Sequence, residues 1–333
     1  MCLILFSLNA HPNFPFILAA NRDEFYERPA TTAHFWKDAP LLLAGRDEQG
    51  GGTWCGITRN GRFAALTNYR DVRTLKQNAP TRGHLLTNFL LEVSQASPAS
   101  GNGVYRAFEL QGDLYRRVQR APRSSFQDTP RNVPHSAPHD VRQSIRHFGD
   151  WLNAHAAQYN GYNILFGLFS RSDAQSAVQC HLWYQSNVGI PARPLDAGVY
   201  GLSNAFLDTP WHKVEHGKER FRAALMEYDV QSDAQSALQP EQRDEQYRQL
   251  THKLLAVLYD EQQARDEQLP DTGVGVEMER LLSSMFIRSE RYGTRNSTVI
   301  LLDREGIVSF TERIYETPYS QASEQSFTFA ISA

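Results

Sequence analysis

The chain has 333 residues, a formal net charge of −3 and a hydrophobic fraction of 41%, so it is long and apolar enough for one large domain or two ordinary ones with a sizeable core. Near-neutral charge without a basic block argues against a nucleic-acid surface, and no apolar run approaches the roughly 18 residues of a transmembrane helix. Three widely spaced cysteines, Cys2, Cys55 and Cys180, form neither a metal motif nor a disulfide framework, so the expectation is a cytoplasmic protein in a reducing compartment.

The first two dozen residues hold two short apolar runs, Leu3–Leu8 and Phe16–Ala20, joined through the Pro-rich reversal His11–Pro15. They read as buried strands of a hairpin. The polar stretch Asn21-Arg22-Asp23-Glu24 then returns beside the start of the first strand. Residues 25–40 read as a crossing loop, and Leu41–Ala44 as a short strand. The glycines from Gly45 to Gly56 permit close backbone approach, to a ligand or to another strand. Trp54–Thr58 and Arg62–Thr67 flank Arg59-Asn60-Gly61, a hairpin signal.

Thr81 is a candidate N-cap for a helix to about Gln95. Residues 96–138 are a long irregular excursion with a small hairpin near Val104–Val118. A helix over Asp140–Gln158 and strands at Asn163–Phe169, Ala177–Tyr184 and Gly198–Leu202 follow. Helices are expected at Trp211–Tyr228, Glu241–Gln263 and Val276–Ser284. Strands at Ser297–Leu302, Ile307–Arg313 and Phe327–Ile331 close the chain. This order fits an α+β fold of two antiparallel sheets packed face to face with helices outside both. No linker divides residues 1–333, so a single domain is expected.

Cys2 becomes the first residue if the initiator Met is removed. A thiol, an α-amino group, Arg22 and the carboxylates of Asp23 and Glu24 would then gather at one sheet end. A nearby guanidinium lowers a thiol pKa, and a free α-amino group titrates near pH 7.7–8 and can serve as a base for its own side chain.

Asn21-Arg22-Asp23-Glu24 with Arg28-Pro29, Gly45-Arg46-Asp47, Gly51-Gly52-Thr53-Trp54, Leu66-Thr67-Asn68-Tyr69-Arg70 and Arg82-Gly83 resemble successive motifs of the NRDE, or transport-and-Golgi-organisation protein 2, family. Tyr159–Asn163, Tyr200–Asn204, Thr209-Pro210-Trp211 and Tyr292–Arg295 resemble the later ones. That family is similar to N-terminal-nucleophile (Ntn) hydrolases with an N-terminal cysteine. The resemblance implies a four-layer αββα sandwich and a catalytic set of Cys2, Arg22, Asp23, Asn68, Asn204 and Arg295. Asn21, Glu24, Gly52, Trp54 and Tyr69 are the candidate substrate-contacting residues. Arg22 and Asp23 adjoin here, whereas the corresponding Arg and Asp lie three positions apart in the Ntn hydrolases related to penicillin V acylase and bile-salt hydrolase. Adjacent strand residues face opposite ways, so either the strand ends by Asn21 or only one of the pair reaches Cys2, with Glu24 as the substitute acid.

Two functions follow. The first is hydrolysis of the amide of a small metabolite, needing no cofactor, with Arg295 binding a substrate carboxylate or else pairing with Asp303. The second is a carrier or chaperone for haem or a lipid-like metabolite such as acyl-CoA. Trp54, Tyr69, Phe166 and Trp211 would then stack on the ligand, and Cys2, His84 or His212 would meet a haem iron. The competing reading makes those aromatics ordinary core.

Overall fold

The computed structural model describes residues 3–91, 141–171, 177–232 and 240–332. Cys2, the excursion at 96–138 with its expected hairpin, and the end of the helix expected up to Gln95 lie outside the described residues.

The first hairpin forms as the apolar runs require. Strand β1 (Leu3–Leu8) pairs antiparallel with β2 (Phe16–Phe25), Leu3 lying opposite Asn21. β2 continues straight through the polar stretch, so the strand has not ended by Asn21. Both faces of the hairpin are buried, with Ile4, Phe6, Phe16 and Leu18 in one core and Leu3, Leu5, Ile17 and Ala19 in another. That two-sided burial explains continuous apolar runs where a half-exposed strand would alternate.

β3 (Ala30–Trp36), β4 (Ala39–Asp47), β5 (Cys55–Thr58) and β6 (Arg62–Asn68) follow. β3 corrects the crossing loop expected at 25–40. It is an edge strand with only Ala33 and Trp36 buried, so its sequence carries little apolar signal. The β5–β6 turn holds Gly61 at φ +82, and a Cβ there would meet the Phe169 carbonyl oxygen at 1.9 Å. Later come β7 (Tyr162–Ser170), β8 (Gln179–Ser186), β9 (Ile190–Pro194) and β10 (Gly198–Leu202). The last strands are β11 (Tyr292–Leu302), β12 (Ile307–Ile314) and β13 (Ser323–Ala330). One sheet has the order β10-β1-β2-β11-β12-β13 and the other β3-β4-β5-β6-β7-β8-β9, with antiparallel pairing throughout.

Helices α1 (Gly83–Leu90), α2 (Val141–His155), α3 (His212–Ser232), α4 (Pro240–Leu258) and the short α5 (Val276–Leu281) complete the described elements. The N-cap of α1 is Arg82 with no side-chain cap bond, not Thr81. Three cores make the layers. Ile4, Phe16, Ile57, Phe63 and Leu165 fill the space between the sheets. Phe221, Leu225, Leu250 and Leu254 of α3 and α4 cover Leu5, Ile17 and Val299 of the six-stranded sheet. Leu85 and Phe89 of α1 and Phe148 and Leu152 of α2 cover Ala64, Ile164 and Phe166 of the seven-stranded sheet. The architecture is a four-layer αββα sandwich. Among the described residues no helix is long and apolar enough to cross a membrane.

Candidate active site

The polar end of β2 divides its side chains between two faces. Asn21 and Asp23 point to the helix side. The Asn21 amide donates to the carbonyls of Leu258 (3.0 Å) and Met285 (2.8 Å), and its oxygen accepts from the Ser297 hydroxyl at 2.6 Å. These bonds tie the sheet to the last residue of α4 and the loop beyond α5, so the side chain is engaged in holding layers together rather than offered to a ligand. Asp23 accepts from the Thr294 hydroxyl at 2.6 Å, and that hydroxyl in turn accepts from the Ile287 backbone N–H at 2.9 Å.

Arg22 points the other way, between the sheets. It is 4% exposed, its guanidinium lies 4.1 Å from the centroid of the Trp54 ring, and Nη1 is buried without a hydrogen-bond partner among the described residues. Burial pulls its pKa down; Glu24 and Asp47 oppose that, while Arg295 and Arg28 add to it. Glu24, half-buried and of the same strand parity, accepts from the Phe25 backbone N–H at 3.0 Å and stands 3.8 Å from Arg28. Arg28 is itself held by Asp47 through two bonds, Nε to Oδ1 at 3.2 Å and Nη2 to Oδ2 at 2.7 Å. Burial disfavours the Asp47 carboxylate, but the Arg28 bonds and the Gly50 backbone N–H outweigh it and hold its pKa below the ordinary range.

Arg295 reaches this cluster through a β-bulge. The β11–β2 register passes from Thr294 opposite Asp23 directly to Asn296 opposite Arg22, leaving Arg295 as the extra residue. Bulges re-aim a side chain in this way. Nη1 of Arg295 donates to the carbonyls of Phe25 (3.0 Å), Tyr26 (3.0 Å) and Arg28 (3.3 Å), and Nε is buried with no partner among the described residues. Asp303 is engaged elsewhere, by the Tyr247 hydroxyl and the Ile307 backbone N–H, so the alternative Arg295–Asp303 pair does not form.

Asn68 and Asn204 meet at the other side of β1. β10 pairs with β1, Leu202 opposite Ile4, and delivers Ser203 and Asn204 past the strand end. Nδ2 of Asn204 donates to the Asn68 carbonyl at 3.0 Å, and the Asn204 carbonyl accepts from the Arg70 backbone N–H at 2.7 Å. Tyr69 packs on Phe206, ring centroids 5.0 Å apart.

Other expected contacts are rearranged. Gly52 approaches the protein itself, since a Cβ there would lie 2.4 Å from the Gly83 carbonyl carbon. Its role is to seat the start of α1 against the loop before β5. The four aromatics considered as a stacking wall do not share a cavity. Trp54 belongs to the core between the sheets, Phe166 to the core under α1 and α2, and Trp211 packs beside the core under α3 and α4. His84 and His212 sit on helices of opposite outer layers. Among the described residues no group of three or more His, Cys, Asp or Glu could hold a metal ion.

Two supporting networks were not read as such from the sequence. Between the sheets, Thr67 donates to the Ser203 carbonyl (2.6 Å). Asn163 donates to Thr67 (3.1 Å) and the Ala205 carbonyl (2.9 Å), and the Tyr184 hydroxyl donates to Asn163 (3.0 Å). This pins the segment that carries Asn204. Behind it, Arg70 pairs with Glu279 at 2.9 Å and bonds Thr272 at 3.1 Å. Thr67, Asn163 and Arg70 all fall inside the quoted motifs, which was the available signal; Tyr184 and Glu279 had none. Glu312, 1% exposed, accepts from the Ala33 backbone N–H (2.7 Å) and Gln325 (3.2 Å), and burial raises its pKa.

Comparison with known proteins gives a consistent relationship along most of the chain. Residues 1–119 and 126–317 match the family described as Transport and Golgi organisation 2. The chain is 34% identical over 330 residues to the Bos taurus Transport and Golgi organization protein 2 homolog, covering 94% of this chain and 92% of that protein. It is 32% identical over 328 residues to the Homo sapiens homolog, with the same coverage. The Drosophila melanogaster Transport and Golgi organization protein 2 is 26% identical over 330 residues, covering 94% of this chain and 91% of that protein. The chain belongs to the Transport and Golgi organisation 2 family.

Proposed function

We propose that this protein is an Ntn-type cysteine hydrolase that cleaves the C–N bond of a small-molecule amide, with Cys2 as nucleophile after removal of Met1. The observation that carries this reading is Arg22, a buried guanidinium with an unpartnered N–H beside the start of β1. Leu3 lies opposite Asn21, and Ile4 opposite Leu202. Arg22 and Asn204 therefore lie just beyond these first pairs of the described ladders. Ile4, Phe6 and Leu8 face the space between the sheets, where Arg22 meets Trp54.

The chemistry follows from those groups. The α-amino group of Cys2 takes the thiol proton, and Arg22 favours the thiolate. Sγ attacks the amide carbonyl carbon, the C–N bond breaks, and the amine leaves with the proton from the α-ammonium group. The thioester is then hydrolysed by water, which releases the acid and restores the thiol. Asn204, held by Asn68, and the neighbouring backbone supply donors to the oxyanion; losing one such donor typically costs about 10²–10³ in rate. Glu24 shares the face of Arg22, whereas Asp23 supports the site from the helix side.

The test is a panel of amides with wild-type, Cys2→Ser and Cys2→Ala proteins. The reading requires hydrolysis by wild type that both changes abolish. Absence of hydrolysis across the panel, with haem or acyl-CoA binding unaffected by either change, would favour a carrier instead.

A further inference from the structure

The two sheets end in the edge strands β10 and β13 on one, β3 and β9 on the other. Open edges invite pairing with another chain, and proteins guard them with prolines, bulges, short strands, charges or covering loops. β9 is five residues long and carries Pro191 and Pro194. β3 breaks register with β4 at two places. On β10 the Gly201 N–H donates to Asp208 Oδ1 at 2.9 Å, and the Gly201 carbonyl accepts from the Asp208 N–H at 2.8 Å. β13 has no such guard. Its eight residues hold no proline and no lysine, and they pair with β12 without a break from Ala330 opposite Ile307 to Ser323 opposite Ile314. Its one charge, Glu324, is balanced by Arg313 at 2.6 Å.

The bonds of β13 show which of its groups are turned outward. The Ile331 N–H donates to the Gly306 carbonyl at 2.9 Å, so Phe329, Phe327 and Gln325, of the same parity, bond to β12. The alternate positions are the closer, non-hydrogen-bonded pairs, and there the side chains touch: Ser326 with Thr311 at 2.9 Å, and Glu324 with Arg313. The backbone N–H and C=O groups of Glu324, Ser326, Thr328 and Ala330 therefore point away from β12, and all four residues are exposed. Phe327 faces the other sheet, half-buried against Phe35 of β3, with ring centroids 6.1 Å apart.

We propose that two copies of this chain pair antiparallel through β13 about a two-fold axis at Phe327, joining their six-stranded sheets. In this register Ser326 lies opposite Thr328 of the second copy, and Glu324 opposite Ala330, so all four outward residues exchange both backbone bonds. Phe327 meets its own counterpart in a non-hydrogen-bonded pair, where side chains approach most closely. No like charges meet, because Glu324 is neutralised by Arg313 within its own copy and lies opposite an alanine. A two-fold axis at Glu324 would instead set that carboxylate against itself. The contact is isologous and closes as a dimer.

The experiment is sedimentation equilibrium of full-length Cys2→Ser protein, in which no disulfide through Cys2 contributes, at about 1 to 100 μM. The expected result is a dimer at the upper concentrations. Ser326→Pro and Thr328→Pro each remove an outward N–H that β12 does not use, a change that edge strands tolerate. Each should weaken the dimer about tenfold or more, with circular dichroism reporting that the fold is kept. Cross-linking provides a measurement independent of the proline variants. Phe327→Cys should form an intermolecular disulfide on oxidation, since opposite Cβ atoms lie about 4.5–5.5 Å apart, whereas Ser326→Cys, offset from its counterpart, should not. A monomer at every concentration overturns the proposal and leaves the edge open to an extended segment of another protein. A dimer that persists in both folded proline variants, or equal cross-linking at 326 and 327, overturns it as well.

Discussion

Arg22 and Arg70 are the same residue type in similar places, and they behave differently. Arg22 lies in the polar second half of β2 and Arg70 two residues past β6, and both stack on a tryptophan, Trp54 at 4.1 Å and Trp211 at 4.9 Å. Arg70 is matched to Glu279 at 2.9 Å and Thr272 at 3.1 Å, and Glu279 accepts in turn from the Thr272 backbone N–H at 2.7 Å. Arg22 stacks equally well but forms no ion pair among the described residues, since the carboxylates whose charge reaches it, Glu24, Asp47 and Glu312, are bonded to other groups. A stacked arginine is therefore not itself a sign of function. What separates them is whether the charge is balanced within the protein, as Arg70's is, or left for something that binds, as Arg22's is.

The largest expected effect breaks the balanced side. Glu279→Ala strands Arg70 and should lower stability by about 3–5 kcal/mol, read by denaturant unfolding; a loss under 1 kcal/mol would mean that Arg70 is not balanced by Glu279. Next is Asn21→Leu, which orphans the Leu258 and Met285 carbonyls at about 1–3 kcal/mol each. Hydrolysis should remain intact, because Asn21 faces the helix layer. Arg22→Met should change stability by about 1 kcal/mol or less, in either direction, since it removes an uncompensated charge while keeping bulk beneath Trp54. The same change should remove hydrolysis.

The smallest effect concerns pH. Glu312 has a folded pKa raised by burial, so the folded state binds its proton more tightly than the unfolded chain does. Stability is then lost as pH rises from the ordinary carboxylate value through the raised folded value. Glu312→Gln should flatten that part of the stability–pH curve, measured by Tm across mildly acidic to neutral buffers. An unchanged slope would assign the loss to another group.

The sequence and the structure agree where burial is two-sided and part where it is not. β1, the first half of β2 and β7 are apolar on both faces and are legible as runs. β3 and β9 are the edges of the seven-stranded sheet, and β9 carries Pro191 and Pro194. Edge strands need fewer apolar residues and tolerate proline, so no periodic signal marks them. The continuation of β2 through Asn21-Arg22-Asp23-Glu24 was also illegible, because its polar side chains are buried by distant partners such as Ser297 and Trp54. At the site, Arg22 and the Asn68–Asn204 contact could be anticipated from motifs. The bulge at Arg295 could not, because it depends on how β11 registers against β2. Gly52 was visible as a point of close approach, but its partner, Gly83, was visible only once α1 was in place.

The central claim requires residue 2 to carry a free α-amino group beside Arg22. Intact-mass spectrometry of the purified full-length protein tests this most directly. The account predicts a mass lower than that of the full chain by one methionine residue, with Cys2 at the N-terminus. A protein that retains Met1 throughout, or whose α-amino group is acetylated, would contradict it.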